Sequence, residues 1–500
     1  MRGHIKSLAV LSVFLLLSTS CGGSGERDIT STEQPVESSS SEEVSTGGPQ
    51  DEQEETSSSE SQSSSSSTTQ TQETEEIPAE PEPDYEMFGD IVWPCNPGSA
   101  SGATDQGVTD TTILIGGGDD RGYAASLGLN ITQTDTLSAF VEKCNELGGI
   151  NGREVLVELY DAKIFEVSNV WLDACPRMFM MVAEGFAVDS LGEETRVQCE
   201  LAHIPTYTVS AAAAHGPMMI QPVPNPSDRN PLSMASYIAE TYPDSIAKSG
   251  TMFGNFAATI ETKDKTLSSY PPLGFEFIAN LEYNIVGEDD WTPFVLELKN
   301  AGVEHIYFTG TCLPNYQAFR AAASVNSFDA IYTTDANFYE NSCREANSDG
   351  VMNNTYVRMA FIPFEERDYA PGVNDYLELM EEKGGEVALL GMQAASAFLL
   401  WATAAKACGS NLTRSCVLEE AAKIDEWSGG GMHVASDPGV NEPPPCGIVI
   451  ELVGTTYERI FPTEPGTYEC NESWNAGFTN RWTEDAELDE NRVSQKFTTE

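Results

Sequence analysis

Leu137, Phe140, Val141 and Cys144 fall three and four positions apart, which is one face of an α-helix. The run stops at Gly148 and Gly149, since a glycine just past the last periodic residue closes a helix in the left-handed conformation, and Asn151-Gly152 is a turn dipeptide. Val155, Val157 and Leu159 then alternate with Glu154, Leu156 and Glu158, predicting a strand that ends on an acid, Asp161. Upstream, "TTILIGGG" reads as another strand; downstream, a helix around Trp171 to Val182 runs into a third, "FMMVAEG". Strands alternating with helices of about ten or more residues imply βαβ units and a parallel sheet covered on both faces.

The alternation continues through "IPTYTVS", "IAKSGTMF", "FEFIANLEYN", "HIYFTG", "AIYTTD" and "YVRMAFIP", with helices such as "TPFVLELKNAG" and "NYQAFRAAASV" between them. Two longer helical stretches follow, "GVNDYLELMEEKG" and "GMQAASAFLLWATAAKAC". These are too many strands for one comfortable sheet, so the fold class is α/β with two lobes. Sheets of this kind bind ligands at the carboxyl ends of their strands.

The first 90 residues stand apart. Residues 1–20 have basic Arg2 and Lys6, an apolar run from Leu8 to Leu17 and small polar residues before Cys21, the layout of a secretory signal too short to span a bilayer. It resembles a bacterial lipoprotein signal, in which Cys21 carries the lipid, although Ser18 stands where that family usually has leucine. Residues 21–90 are mostly Ser, Glu, Thr, Gln and Pro; they bury too little apolar surface to offset ordering entropy and are expected to form a disordered tether.

Charge and cysteine content narrow the function. With 26 Lys and Arg against 78 Asp and Glu, the chain carries a formal net charge of −52, which excludes a nucleic-acid backbone as partner and suits a solvated acidic surface. Setting Cys21 aside leaves an even set of ten cysteines, Cys95, Cys144, Cys175, Cys199, Cys312, Cys343, Cys408, Cys416, Cys446 and Cys470. In an exported chain these point to disulfides. Roughly 945 pairings are open, and sequence neighbours are favoured: Cys175 with Cys199, Cys312 with Cys343, Cys408 with Cys416, Cys446 with Cys470, and Cys95 with Cys144. No pair has the C-x-x-C spacing of a zinc or redox site.

"QGVTDTTILIGG", "FVEKCNELGGINGREVLVELYD", "IPTYTVSAA" and "DDWTPFVLELKNAGVEHIYFTG" resemble, in order and spacing, the solute-binding proteins of ABC transporters of the branched-chain amino acid type, over about residues 105–465. The resemblance implies a periplasmic-binding-protein type 1 fold: two lobes, each a parallel sheet flanked by helices, joined by three hinge crossings near Gln221, Met359 and His433. Residues 91–221 with 361–432 would form lobe 1, residues 222–360 with 433–470 lobe 2, and 471–500 an acidic C-terminal tail. It also implies a monomer that captures a small polar solute, an amino acid or analogue, outside the cytoplasm and delivers it to an ABC permease, without cofactor or metal; the lipid-anchored, tethered layout of residues 1–90 fits that reading independently.

Helix N-termini at strand ends attract anionic groups through unpaired N–H groups and the helix dipole. The family loops map onto "GGGDDRGYAAS", with Asp120 and Tyr123 as ligand residues, "GFAVDSLG", with Asp189 and Ser190, and "TVSAAAAHG", with Thr208 and Ser210. In the second lobe, Phe256 lies where a family tyrosine closes over the solute, and Asp335 lies near the family's acidic ligand for the amine. The hydroxyls would take a carboxylate, and Asp189 and Asp335 a cation. Helix capping uses the same residue types and is the competing role for the acids and hydroxyls of these loops. Ala212, where amino acid binders usually carry threonine, and Asp189, where a small residue is common, depart from the family pattern.

Catalysis finds little support. The sequence has no G-x-S-x-G elbow, no H-E-x-x-H helix and no histidine with a second ligand at metal spacing. The G-x-G-x-x-G that begins at Gly116 has Arg121 in place of its last glycine, and "SGGGMH" is followed by no P-loop lysine. The alternatives to transport are ligand sensing through a separate membrane partner and, less favoured, a lipid-anchored hydrolase.

Overall fold

A computed structural model of the chain describes residues 86–489 and 492–497. The signal, Cys21 and nearly all of the tether lie outside the described residues. Residues 86–90, read as the end of the tether, are folded: strands β1 (Met87–Phe88) and β2 (Ile91–Val92) form a hairpin, and buried Phe88 packs edge-on against Trp93 and Phe140.

The first sheet consists of β3 (Thr112–Asp119), β4 (Glu154–Asp161), β5 (Met181–Val182) and β6 (His203–Ile204), all parallel and ordered β4-β3-β5-β6. The helix Ile131–Glu146 packs with the long apolar helix Leu389–Cys408 in one core, and Val167–Ala174 covers a second core around Trp171 and Phe186. Close packing explains the triple glycine of β3. A Cβ on Gly116 would lie 2.3 Å from the Met181 sulfur, and one on Gly117 2.1 Å from a Leu137 methyl carbon. The turn at 148–152 forms as its residues require, with Gly148, Gly149, Asn151 and Gly152 all at positive φ.

Two strands are shorter than the sequence predicts. Ala183 adopts a φ of 56°, which ends β5 after Val182. Pro205 has no N–H to continue the β6 ladder, so the chain from Tyr207 to Ser210 turns into a loop at the strand's carboxyl end.

The second sheet contains β7 (Ser249–Gly254), β8 (Phe277–Tyr283), β9 (His305–Thr309), β10 (Ile331–Thr334) and β11 (Thr355–Met359), then β12 (Cys446–Val453), β13 (Thr456–Phe461) and β14 (Glu469–Cys470). Its order is β13-β12-β11-β10-β9-β7-β8, with β14 beside β12. The segments of β12 and β13 were not read as strands. They pair antiparallel, β12 with β11 and β13 with β12, while the strands from β7 to β11 are parallel. Their direction follows from connectivity: β11 leaves the sheet at its carboxyl end for the first lobe, and the returning chain enters β12 at that same end.

The crossings lie where chain direction demands. The first is the proline-rich stretch from Gln221 to Pro226. The second and third run side by side, with Phe361 and His433 paired antiparallel and Ile362 N–H donating to the Met432 carbonyl. Residues 471–497, expected as an acidic tail, lie instead against both lobes wherever described. Trp474 is buried, Arg481 and Trp482 donate to Asp264 at 2.6 and 3.0 Å, and Ser494 N–H donates to the His215 carbonyl at 2.6 Å.

Five disulfides join Cys95 to Cys144, Cys175 to Cys199, Cys312 to Cys343, Cys408 to Cys416 and Cys446 to Cys470. Closing a longer loop removes more unfolded-state entropy. Replacing Cys95 and Cys144 by serine, which opens a loop of sequence separation 49, is expected to cost about 4 kcal/mol, against about 2.5 kcal/mol for Cys408 and Cys416 with separation 8. Denaturant unfolding of the two double variants checks the order; equal losses would show that loop length does not set it.

Candidate functional site

The strands of both sheets end at one cleft of about 740 Å³ between the lobes. Tyr123, Tyr207, Thr208 and Val387 line it from the first lobe, and Phe256, Lys265, Asp335 and Arg358 from the second.

The loop after β3 carries two buried acids with separate structural work. Asp119 accepts from Arg121 Nε at 2.8 Å and from the Thr134 hydroxyl. Asp120 accepts from Ile164 N and Ala187 N, each at 2.8 Å, tying together the loops after β4 and β5. Burial pushes Asp120 up to about 6 against those two N–H bonds, and the neighbouring acids Asp119 and Asp161 push the same way. Both Asp120 oxygens are engaged, and the residue is not on the cleft wall; Tyr123 is, edge-on to Phe165 with ring centroids 6.5 Å apart.

Asp189 opens the short turn Asp189–Leu191, and its carboxylate accepts from Val209 N at 2.7 Å and Ser210 N at 3.1 Å. Burial raises its pKa to about 6, with Ser210 and Val209 holding it down. It is thus a brace between two loops. Ser210 caps the helix Ala211–Ala214, its Oγ accepting from Ala213 N at 3.2 Å. Asp189, Ser190 and Ser210 are absent from the cleft wall, whereas Thr208 stands on it with its hydroxyl donated to Gln221 Oε1 at 2.9 Å.

Across the cleft, Phe256 precedes the helix Ala257–Ser269. Ala258, Glu261, Thr262 and Lys265 recur at helical spacing and turn one polar face of that helix to the cleft. Glu261 reaches the first lobe, where its Oε2 accepts from Ala211 N at 2.7 Å. Burial raises Glu261 to about 8 despite this bond, and Asp189 adds to the rise. Lys265 is 9% exposed and donates to Asn225 Oδ1 at 2.7 Å; burial, then Arg358, bring it down to about 7 against Asp335 and Asp228. Asp335 is on the wall but occupied: Arg358 donates from Nη2 at 3.1 Å, and Tyr307 donates its hydroxyl to the other oxygen.

The structure therefore brings Tyr123, Thr208, Phe256 and Asp335 together on the wall, while Asp120, Asp189, Ser190 and Ser210 do not line it. Glu261, Lys265 and Arg358 were not singled out from the sequence. The polar run "ETKDK" looks like a solvated helix face, and only the i, i+4 spacing of Glu261 and Lys265 separates its cleft side from its outer side. Among the described residues no three His, Cys, Asp or Glu side chains converge to hold a metal, and no helix is long and apolar enough to cross a membrane.

Two α/β lobes, three crossings and a cleft walled by both lobes are the architecture of a solute receptor. The chain matches the periplasmic binding protein family over residues 185–455, more than half its length, and belongs to that family, whose members bind solutes outside the cytoplasm. Among solved structures it resembles a fatty acid ABC transporter substrate-binding protein from Thermomonospora curvata, at 14% identity and a TM-score of 0.61 over 74% of this chain and 95% of that one. It also resembles the branched-chain amino acid transporter substrate-binding protein of Streptococcus pneumoniae in complex with isoleucine, at 15% identity and 0.56 over 70% and 99%. A third is the solute-binding protein of an R. palustris ABC transporter in complex with 4-hydroxybenzoate, at 13% and 0.59 over 70% and 96%. At these identities the likeness establishes the fold. No curated protein matches the sequence.

The Glu261 contact gives a signed pH prediction. Its pKa is about 8 in the fold against about 4.3 in an unfolded chain, so the folded state holds the proton between those values. Its contribution to stability is whole below about pH 4 and is lost as pH rises toward 8. The Glu261→Gln variant should match the parent near pH 4 and exceed it by on the order of 5 kcal/mol at pH 8. Thermal unfolding across that range is the check; a pH-independent difference would contradict the assignment.

Proposed function

We propose that the protein captures a small polar solute, an amino acid or close analogue, by closing its two lobes, and delivers it to an ABC permease from a membrane to which Cys21 lipid anchors it. The observation that supports this best is the cleft wall, with Tyr123 and Thr208 contributed by one lobe and Phe256 and Lys265 by the other. A solute touching both walls does so only when the lobes are together, so its binding free energy favours the closed state. The solutes named for two similar structures, isoleucine and 4-hydroxybenzoate, are of a size that such a cleft holds.

Calorimetry and melting across a panel of amino acids, amides and small acids test the reading. A cognate solute at about 100 times its Kd stabilises the folded state by about 2.7 kcal/mol. Phe256→Ala, which removes an aromatic wall from one lobe only, should weaken binding by about tenfold or more while the apo protein stays folded. A panel with no binder at millimolar concentration would remove the receptor reading for these solutes. Intact mass of the membrane-extracted protein tests the anchor: a chain that begins at a diacylated Cys21 is expected, and an unmodified Cys21 refutes it.

A further inference from the structure

Of the two cations on the cleft wall, Arg358 and Lys265, Lys265 is the one without an ion-pair partner among the described residues. Arg358 spends its guanidinium on Asp335, and Asp335 is filled by Arg358 and Tyr307. Glu261 is engaged by Ala211 N. Glu340 and Glu386 also stand on the wall, but they are acids, and the contacts of their backbones with Ala388 and with the Asp135 carboxylate bring no cation to them. The Lys265 ammonium has three N–H groups, and among the described residues its one hydrogen-bond partner is the neutral Asn225 Oδ1, at 2.7 Å. Asn225 is itself fixed, because its Nδ2 donates to the Thr208 carbonyl at 2.9 Å, so the ammonium is held to the loop of the opposite lobe.

Position adds to this. Lys265 lies toward the hinge end of its helix, with Asn225 and Pro226 of the first crossing and Pro443 and Pro444 of the third among the residues of the same cleft. A buried ammonium with unused donors is costly to maintain without an anionic partner. The Thr208 hydroxyl is donated to Gln221 and Ser210 does not line the cleft, which leaves the Lys265 ammonium as the charged donor on the wall free to meet an acid group.

We propose that Lys265 binds the carboxylate of the solute and so makes the cleft selective for organic acids, zwitterionic or not, over their neutral or cationic amides. A single ammonium beside one amide suits a monoanion. A phosphate dianion would call for further unpaired donors, whereas the neighbouring Arg358 is already taken by Asp335. Apolar wall residues, among them Phe256, Leu313 and Val387, suit the body of the acid. The inference rests on the receptor reading of this cleft.

The test uses matched pairs on the full chain: leucine and leucinamide, 4-methylpentanoate and its amide, 4-hydroxybenzoate and its amide, together with inorganic phosphate. Calorimetry on the parent should show at least one acid binding on the order of tenfold to a hundredfold more tightly than its amide. Lys265→Met should abolish that preference, and Lys265→Arg should keep part of it; the apo melting curves of both variants establish that they fold. Amides binding as tightly as acids, an unchanged preference in Lys265→Met, or phosphate outcompeting every carboxylate would overturn the proposal. If nothing on the panel binds the parent, the receptor reading has failed for these solutes and the proposal falls with it.

Discussion

Parallel strands cannot be joined by tight turns, so every strand from β7 to β11, and each strand of the first sheet, must return through a crossover that covers a face of its sheet. With both faces walled, the carboxyl ends of the strands are where loops are free to present side chains. Two such sheets with their carboxyl ends toward one another produce a cleft whose walls belong to different lobes. The antiparallel β12 follows from the same geometry, since a chain returning from the first lobe can enter the second sheet only from the cleft side.

The loops at those strand ends are tied to one another by acids, Asp120 buried and Asp189 partly so. Asp120 holds the loops after β4 and β5, and Asp189 holds the backbone from Val209 to Ser210. Each carboxylate accepts from backbone N–H groups, which for the buried Asp120 offsets the cost of leaving water. Residues of the type expected to grip a ligand instead position the loops that carry Tyr123 and Thr208. The charges that reach the cleft come chiefly from the second lobe, where Arg358 and Asp335 neutralise each other and Lys265 does not take part.

Glu261 and Lys265 sit one turn apart on the same helix and meet the first lobe differently. Glu261 touches the Ala211 N–H directly, and Lys265 reaches it through Asn225 and the Thr208 carbonyl. Contacts between the lobes and the proposed contact with the solute thus share one helix face. The C-terminal segment adds a further link, because Arg481 and Trp482 hold Asp264 on that helix while Ser494 holds His215 beside the first-lobe helix Ala211–Ala214.

Sequence alone determined what depends on neighbours along the chain. The periodicity of Leu137, Phe140, Val141 and Cys144, the glycine and Asn-Gly punctuation, and the βα alternation dictate the α/β class and its two lobes, since local hydrophobic pattern and turn chemistry act within a few residues. The family likeness of those same segments carried the receptor class with it. Tertiary structure decided what depends on distant partners. Whether Asp120 and Asp189 face solvent or the backbone of another loop is set by residues 44 and 20 positions away, Ile164 and Val209. The direction of β12 is fixed by where the third crossing returns, and the "ETKDK" run becomes a cleft wall at Glu261 and Lys265 because the first lobe packs over that face. A side chain's type limits the bonds it can make, but which partner it meets is set by how the rest of the chain is folded around it.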